Sequence, residues 1–180
     1  MRTSTASLLC LIGLSIAGFA PMRGGAQTAP MAGMEHAHAA PSTNLTLTVD
    51  GKATTLSVAE LQAMPQTTIT VHNEHTKVDE TYSGVLLGDL LAKYGLPIDK
   101  TTHQKMLRSY LTAQGTDKYW VLYSVTEIEG SEHNAQVIVA TSMGGKPLGD
   151  DGQLKLIDSG DKKPQRWVRN LSAITVKSAE

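Results

Sequence analysis

From Leu45 to Val58 the chain reads LTLTVDGKATTLSV, with apolar and polar residues alternating on both sides of Asp50-Gly51. A period of two belongs to a strand with one buried face, and Asp-Gly accepts the positive φ angles of a tight turn, so the stretch predicts a β-hairpin. The period then changes. Ser57 and Glu60 have the spacing of a capping box, and Val58, Leu61 and Met64 lie three apart as far as Pro65, which predicts a short helix. TTITV, residues 67–71, returns to strand composition. Leu86, Leu87, Leu90, Leu91 and Tyr94 mark one face of a second helix, which Gly95 and Pro97 stop.

The second half is dominated by strands. RSYLTAQ (108–114) and YWVLYSV (119–125) are rich in β-formers and separated by a short turn, and Ser124 with Glu127 repeats the capping-box spacing before a turn of helix. AQVIVAT (135–141), LKLID (154–158) and AITV (173–176) follow as further strands. Strands outnumber helices, the helices are short, and no regular βαβ rhythm occurs, so the fold class is α+β with a mixed β-sheet.

The ends of the chain change the picture of where it works. Arg2 precedes an apolar run from Leu8 to Ala20, followed by small residues up to Ala26, the pattern of a cleaved secretory signal over residues 1–26. The run is too short to span a bilayer, so a periplasmic or secreted protein with no membrane anchor is expected. Residues 27–42, QTAPMAGMEHAHAAPS, have no apolar period and read as a flexible linker, leaving 43–180 as one domain. Within the linker His36 and His38 alternate beside Met31 and Met34, a set that could offer imidazole and thioether ligands to copper or nickel.

Charge and cysteine usage exclude several functions. Without Arg2 and Arg23 the 16 basic residues fall to 14 against 17 acids, a net charge of about −3 that gives no footprint for nucleic acid. The single cysteine, Cys10, lies inside the signal, so the mature chain has no thiol for a disulfide, a nucleophile or a metal–thiolate bond. No Gly-rich phosphate loop, G-x-S-x-G elbow or H-E-x-x-H helix occurs.

The remaining chemistry gathers in TVHNEHTKVDETYSG, residues 70–84. His72 and His75 could bind a metal, with Glu74, Asp79 and Glu80 nearby. Three residues apart on a strand they point to opposite faces, so they converge only if a turn begins at Asn73; the alternative is a polar loop with exposed histidines. His103 and His133 lie in polar surroundings and carry no further signal.

Several spaced fragments, SVAEL, YSGVLLGDLL, DKYWV, GGKPLGDDGQLKLI and RWVRNLSAI, together resemble the oxidoreductase molybdopterin-binding domain of the sulfite-oxidase-like superfamily, over about Leu45 to Val176. The resemblance implies a mixed β-sheet domain of that type with short helices. It also implies a molybdopterin cofactor whose metal is held by a cysteine at a strand end about a dozen residues before a glycine and a leucine-rich helix. Here that glycine is Gly84, which puts His72 at the ligand position or within a residue of it. A neutral imidazole cannot replace the anionic donation of a thiolate. The signal's single arginine, where the family's export route uses a pair, also argues against a cofactor-loaded export.

The same resemblance places Asp117 and Tyr119 on the family's Asp-Gly-Tyr turn near the substrate side, with Lys118 in place of the glycine. A turn aspartate followed by a core tyrosine explains them as well. Lys162, Lys163, Arg166 and Arg169 surround Trp167 near where the family binds the pterin phosphate, though Asp158 and Asp161 dilute the positive charge and a solvated loop is the other reading. Trp167 keeps step with Leu171 and Ile174, so its ring is expected to be buried.

The expected cofactor or ligand residues are therefore His72, Asp117, Tyr119, Lys163 and Arg166, with His72 and His75 as metal candidates and no catalytic residue assigned. The reading is an exported binding or accessory module of this fold, without a thiolate-ligated molybdenum centre, that takes a small-molecule or anionic ligand or a periplasmic protein partner. Two alternatives stand beside it: an active molybdopterin-dependent oxidoreductase, and a periplasmic copper- or zinc-handling protein using His36, His38, His72 and His75.

Overall fold

The computed structural model describes residues 40–96, 101–129 and 134–179. The signal peptide, Cys10, His36, His38, His133 and all but the last residues of the expected linker lie outside them. The first elements among the described residues are strands β1 (Asn44–Val49) and β2 (Lys52–Ser57), joined in register from Asn44↔Ser57 to Val49↔Lys52. Asp50 and Gly51 take φ angles of 48° and 76°, as the hairpin reading requires. Helix α1 (Val58–Gln62) starts at the expected capping box: the Glu60 N–H donates to Ser57 Oγ at 3.2 Å, and Glu60 Oε2 accepts from the Ser57 N–H at 2.7 Å.

Two antiparallel strands follow, β3 (Thr67–Asn73) and β4 (Val78–Leu86), then α2 (Leu87–Lys93) and α3 (His103–Leu107). Among the described residues these are followed by β5 (Ser109–Gly115), β6 (Trp120–Ser124), α4 (Val125–Glu129), β7 (Val137–Met143), β8 (Lys155–Asp158) and β9 (Leu171–Ser178). The strands form two sheets. One is five-stranded in the order β2-β1-β9-β5-β6, mixed because β1 runs parallel to β9; the other is antiparallel in the order β3-β4-β7-β8.

One apolar cluster gathers Leu45, Leu47 and Ile174 from the first sheet with Val85, Val139 and Leu156 from the second, and Leu61, Leu90 and Leu91 from the helices. A second, smaller cluster covers the other face of the four-stranded sheet: Ile69, Val71, Tyr82, Ile138, Ala140 and Ile157, closed over by Leu148 and Trp167. Trp167 is 5% exposed, as expected, but it closes this cluster, whereas Leu171 and Ile174 belong to the first. The small cluster positions the candidate site.

Two expectations need correction. The expected polar loop with exposed histidines is a hairpin: β4 pairs with β3 from Thr67↔Gly84 to Asn73↔Val78, so His72 lies on a strand, and His75 lies in the turn that begins at Asn73, both of them exposed. Tyr119 is not a core residue, since 46% of it is exposed beside the exposed Trp120 and Leu122 on the edge strand β6.

Candidate functional site

Alternation along β3 decides which side chains reach the site. Ile69, Val71 and Asn73 are buried on one face, and Thr68, Thr70 and His72 project from the other. On that outer face the hairpin is laced by polar pairs: Thr68 with Ser83 at 2.8 Å, Thr70 with Thr81 at 3.0 Å, and His72 Nδ1 with Asp79 Oδ1 at 2.8 Å. Asn73 ends the strand by turning the chain. Its side-chain oxygen accepts from the His75 and Thr76 N–H groups, and its backbone oxygen accepts from the Lys77 N–H at 2.7 Å.

Beneath this turn lies a cavity of about 370 Å³. Asn73, His75, Thr76, Glu80 and Tyr82 line it from the hairpin, and Met143, Asp151, Lys155, Pro164, Trp167 and Arg169 from the second half of the chain. Its floor is a polar chain. Asn73 Nδ2 donates to Glu80 Oε1 at 2.9 Å, Tyr82 Oη donates to Glu80 Oε2 at 2.6 Å, and Lys155 Nζ donates to Tyr82 Oη at 2.9 Å and to Asp151 Oδ2 at 2.6 Å. The Lys155 ammonium also lies 4.8 Å from the Tyr82 ring centroid and 5.3 Å from that of Trp167, within cation–π range.

The electrostatics of this chain follow from its bonds. Burial pushes the Glu80 carboxyl up, but hydrogen bonds from Tyr82, Asn73 and Thr76 outweigh it and hold the group below its ordinary value, so Glu80 is ionised at neutral pH. Burial and the neighbouring Glu80 carboxylate both push the Tyr82 phenol up, so it stays a donor. Lys155 is only 5% exposed, and a buried ammonium is tolerated there because Asp151 pairs with it and two rings face it.

The residues anticipated from the sequence separate into three places. His75 lines the cavity, whereas His72 is on the opposite face of β3, paired with Asp79. Asp117 caps the β5–β6 turn by accepting from the Tyr119 N–H at 2.9 Å, and Lys118 between them takes a φ of 68°, the left-handed conformation that favours glycine. The Tyr119 hydroxyl donates to the Gln165 carbonyl, which joins this turn to the segment Lys163–Arg166.

Arg166 is spent within the protein. It bonds Asp161, Asp158 and Glu127 at 2.7, 3.2 and 3.1 Å and stacks 4.4 Å from the Tyr123 ring centroid. Lys163 is exposed and precedes Pro164, which lines the cavity. The cation that reaches the cavity from this region is Arg169.

Glu80, Tyr82, Asp151 and Lys155 carry the site and were not singled out from the sequence as a set. One signal was present: Lys155 interrupts the apolar strand LKLI, and a strand buried on both faces forces its lysine to find an internal partner.

The donor set does not fit a thiolate-held molybdenum. The groups facing the cavity are amide, carboxylate, phenol, imidazole, thioether and cationic side chains, with no thiolate, and the Asn73 amide nearest the expected ligand position is bonded to Glu80. Among the described residues no group of three or more His, Cys, Asp or Glu side chains is arranged to hold a metal ion.

Neither a family model nor a curated protein matches the chain. Among solved structures it is similar to the sulfane dehydrogenase SoxCD from Paracoccus pantotrophus, with a TM-score of 0.57 and 18% sequence identity, over 76% of this chain. The chain spans about 39% of that protein's chain. At this identity the likeness establishes the fold, an α+β domain of mixed sheets with few short helices, as the resemblance to the sulfite-oxidase type implies.

Proposed function

We propose that the chain is an exported binding module of this fold, whose ligand site is the cavity beneath the β3–β4 turn. The observation that carries the reading is Lys155. An ammonium has three N–H donors, and this one spends two, on Tyr82 and Asp151, while lining a cavity large enough for a small molecule. Keeping a cation 5% exposed costs desolvation free energy, and a bound partner for the third donor would offset part of it.

The mixed lining supports a ligand with both polar and apolar parts: Trp167, Met143 and Pro164 supply contact area and the polar chain supplies orientation. The missing thiolate weighs against redox chemistry at a molybdenum centre, which is why binding is preferred to oxidoreductase activity.

Native mass spectrometry of gently purified protein tests the proposal. A small organic adduct on the wild-type chain, released when the protein is unfolded, is the expected result. Wild-type protein that carries no adduct and is unchanged in melting temperature by a broad metabolite panel would contradict it.

A further inference from the structure

The free donors and acceptors around the cavity narrow the class of ligand. The Glu80 carboxylate is the best satisfied group there, accepting from Asn73 and Thr76 on Oε1 and from Tyr82 on Oε2. The donors are less fully used. Lys155 keeps one N–H, and Arg169 approaches Asp151 Oδ1 only through Nε, at 3.6 Å, which leaves the Nη edge of its guanidinium without a partner among the described residues. Five N–H groups in a planar fork suit the two oxygens of an oxyanion, and a desolvated ammonium beside it adds a charge-assisted bond.

Asp151 accepts from Lys155 on Oδ2 and lies beside Arg169 through Oδ1, so one acid holds both cations at the cavity. Next to them is an aromatic wall: Trp167, fixed by its indole N–H to the Asp158 carbonyl at 3.1 Å, and Tyr82, edge-on to it with ring centroids 6.2 Å apart.

Building on the proposed binding role, we infer that the site takes a small organic oxyanion, whose charged end bridges Lys155 and Arg169 and whose apolar end lies against Trp167. The opposite choice, a cationic ligand, would meet an ammonium and a guanidinium at a cavity whose nearest carboxylates are already bonded. A carboxylate and a sulfonate share the required chemistry; inorganic phosphate has the charge without the apolar part.

The test uses the full chain carrying Trp120→Phe, so that fluorescence reports Trp167 alone of the two tryptophans. Benzoate, benzenesulfonate, inorganic phosphate and benzyl alcohol are titrated separately. Benzoate or benzenesulfonate is expected to change the emission saturably, with the tighter of the two identifying the head group, and Arg169→Gln to weaken that binding by about tenfold or more, as losing a charged hydrogen bond does. Arg169 is largely exposed, so its variant keeps the fold even if Lys155→Met does not.

Benzyl alcohol binding as tightly as benzoate, or an Arg169→Gln variant with unchanged affinity, would overturn the oxyanion class and leave the binding role standing. Phosphate binding at least as tightly as benzoate would overturn the apolar half. No response to any of the four would overturn this inference, while the binding role itself is judged separately by the adduct on the wild-type chain.

Discussion

Trp167 joins the stability of the small cluster to the site, because the same ring closes the core and walls the cavity. Truncating it removes a buried ring and leaves the Asp158 carbonyl without its indole donor. Trp167→Ala is therefore expected to lower the unfolding free energy by about 3–5 kcal/mol in denaturant titration, whereas a loss within about 0.5 kcal/mol would mean the ring contributes nothing. Glu80 gives a prediction in pH. Its folded pKa lies below the ordinary 4.5. The stability it contributes is thus fully present above the unfolded value and is lost as pH falls from there through the folded one. The stability advantage of wild type over Glu80→Gln should shrink as acid is added below that ordinary value, and a difference that stays constant with pH would show that Glu80 titrates alike in both states. Lys118 is a third case: relieving its positive φ, Lys118→Gly should stabilise the protein by about 1 kcal/mol, and a loss of similar size would indicate that the side chain holds the turn.

At the scale of elements, the β3–β4 hairpin determines what the site can contain, since one residue of register separates Asn73 in the cavity from His72 on the outer face. Gly84 fixes that hairpin against β7. The register shifts between Ser83 and Gly84, and a Cβ at Gly84 would lie 2.1 Å from the Val139 carbonyl oxygen. Gly84→Ala must displace backbone, so it is expected to cost at least the top of the usual overpacking range of about 1–3 kcal/mol; a melting temperature equal to wild type would contradict the packing described. The first hairpin was readable because its alternating apolar residues flank Asp-Gly. Strand β4 was not, because its pattern is carried by Glu80 and Tyr82, polar groups turned towards a buried network, while Thr81 and Ser83 pair on the other face with β3. A binary pattern of apolar and polar residues loses its meaning where the buried face is itself polar. Helix α3 was missed for a related reason, since Met106 is its only buried side chain and five residues show no helical period.

For the molecule as a whole, the strand-rich second half and the α+β class followed from local composition, whereas the cavity depends on distant pieces of chain. Tyr82 and Lys155 meet across 73 residues, and Arg166 reaches Glu127 across 39. Spacing along the sequence cannot show that Arg166 is neutralised by three carboxylates while Arg169, three residues later, is left to the cavity. Among the described residues no helix is long and apolar enough to cross a membrane. The central claim is that this fold here serves binding through Lys155 and Arg169, without a molybdenum held by a protein thiolate. Elemental analysis of protein purified from its native compartment tests it most directly. The account predicts molybdenum far below stoichiometry, and about one molybdenum per chain, retained through gel filtration, would contradict it.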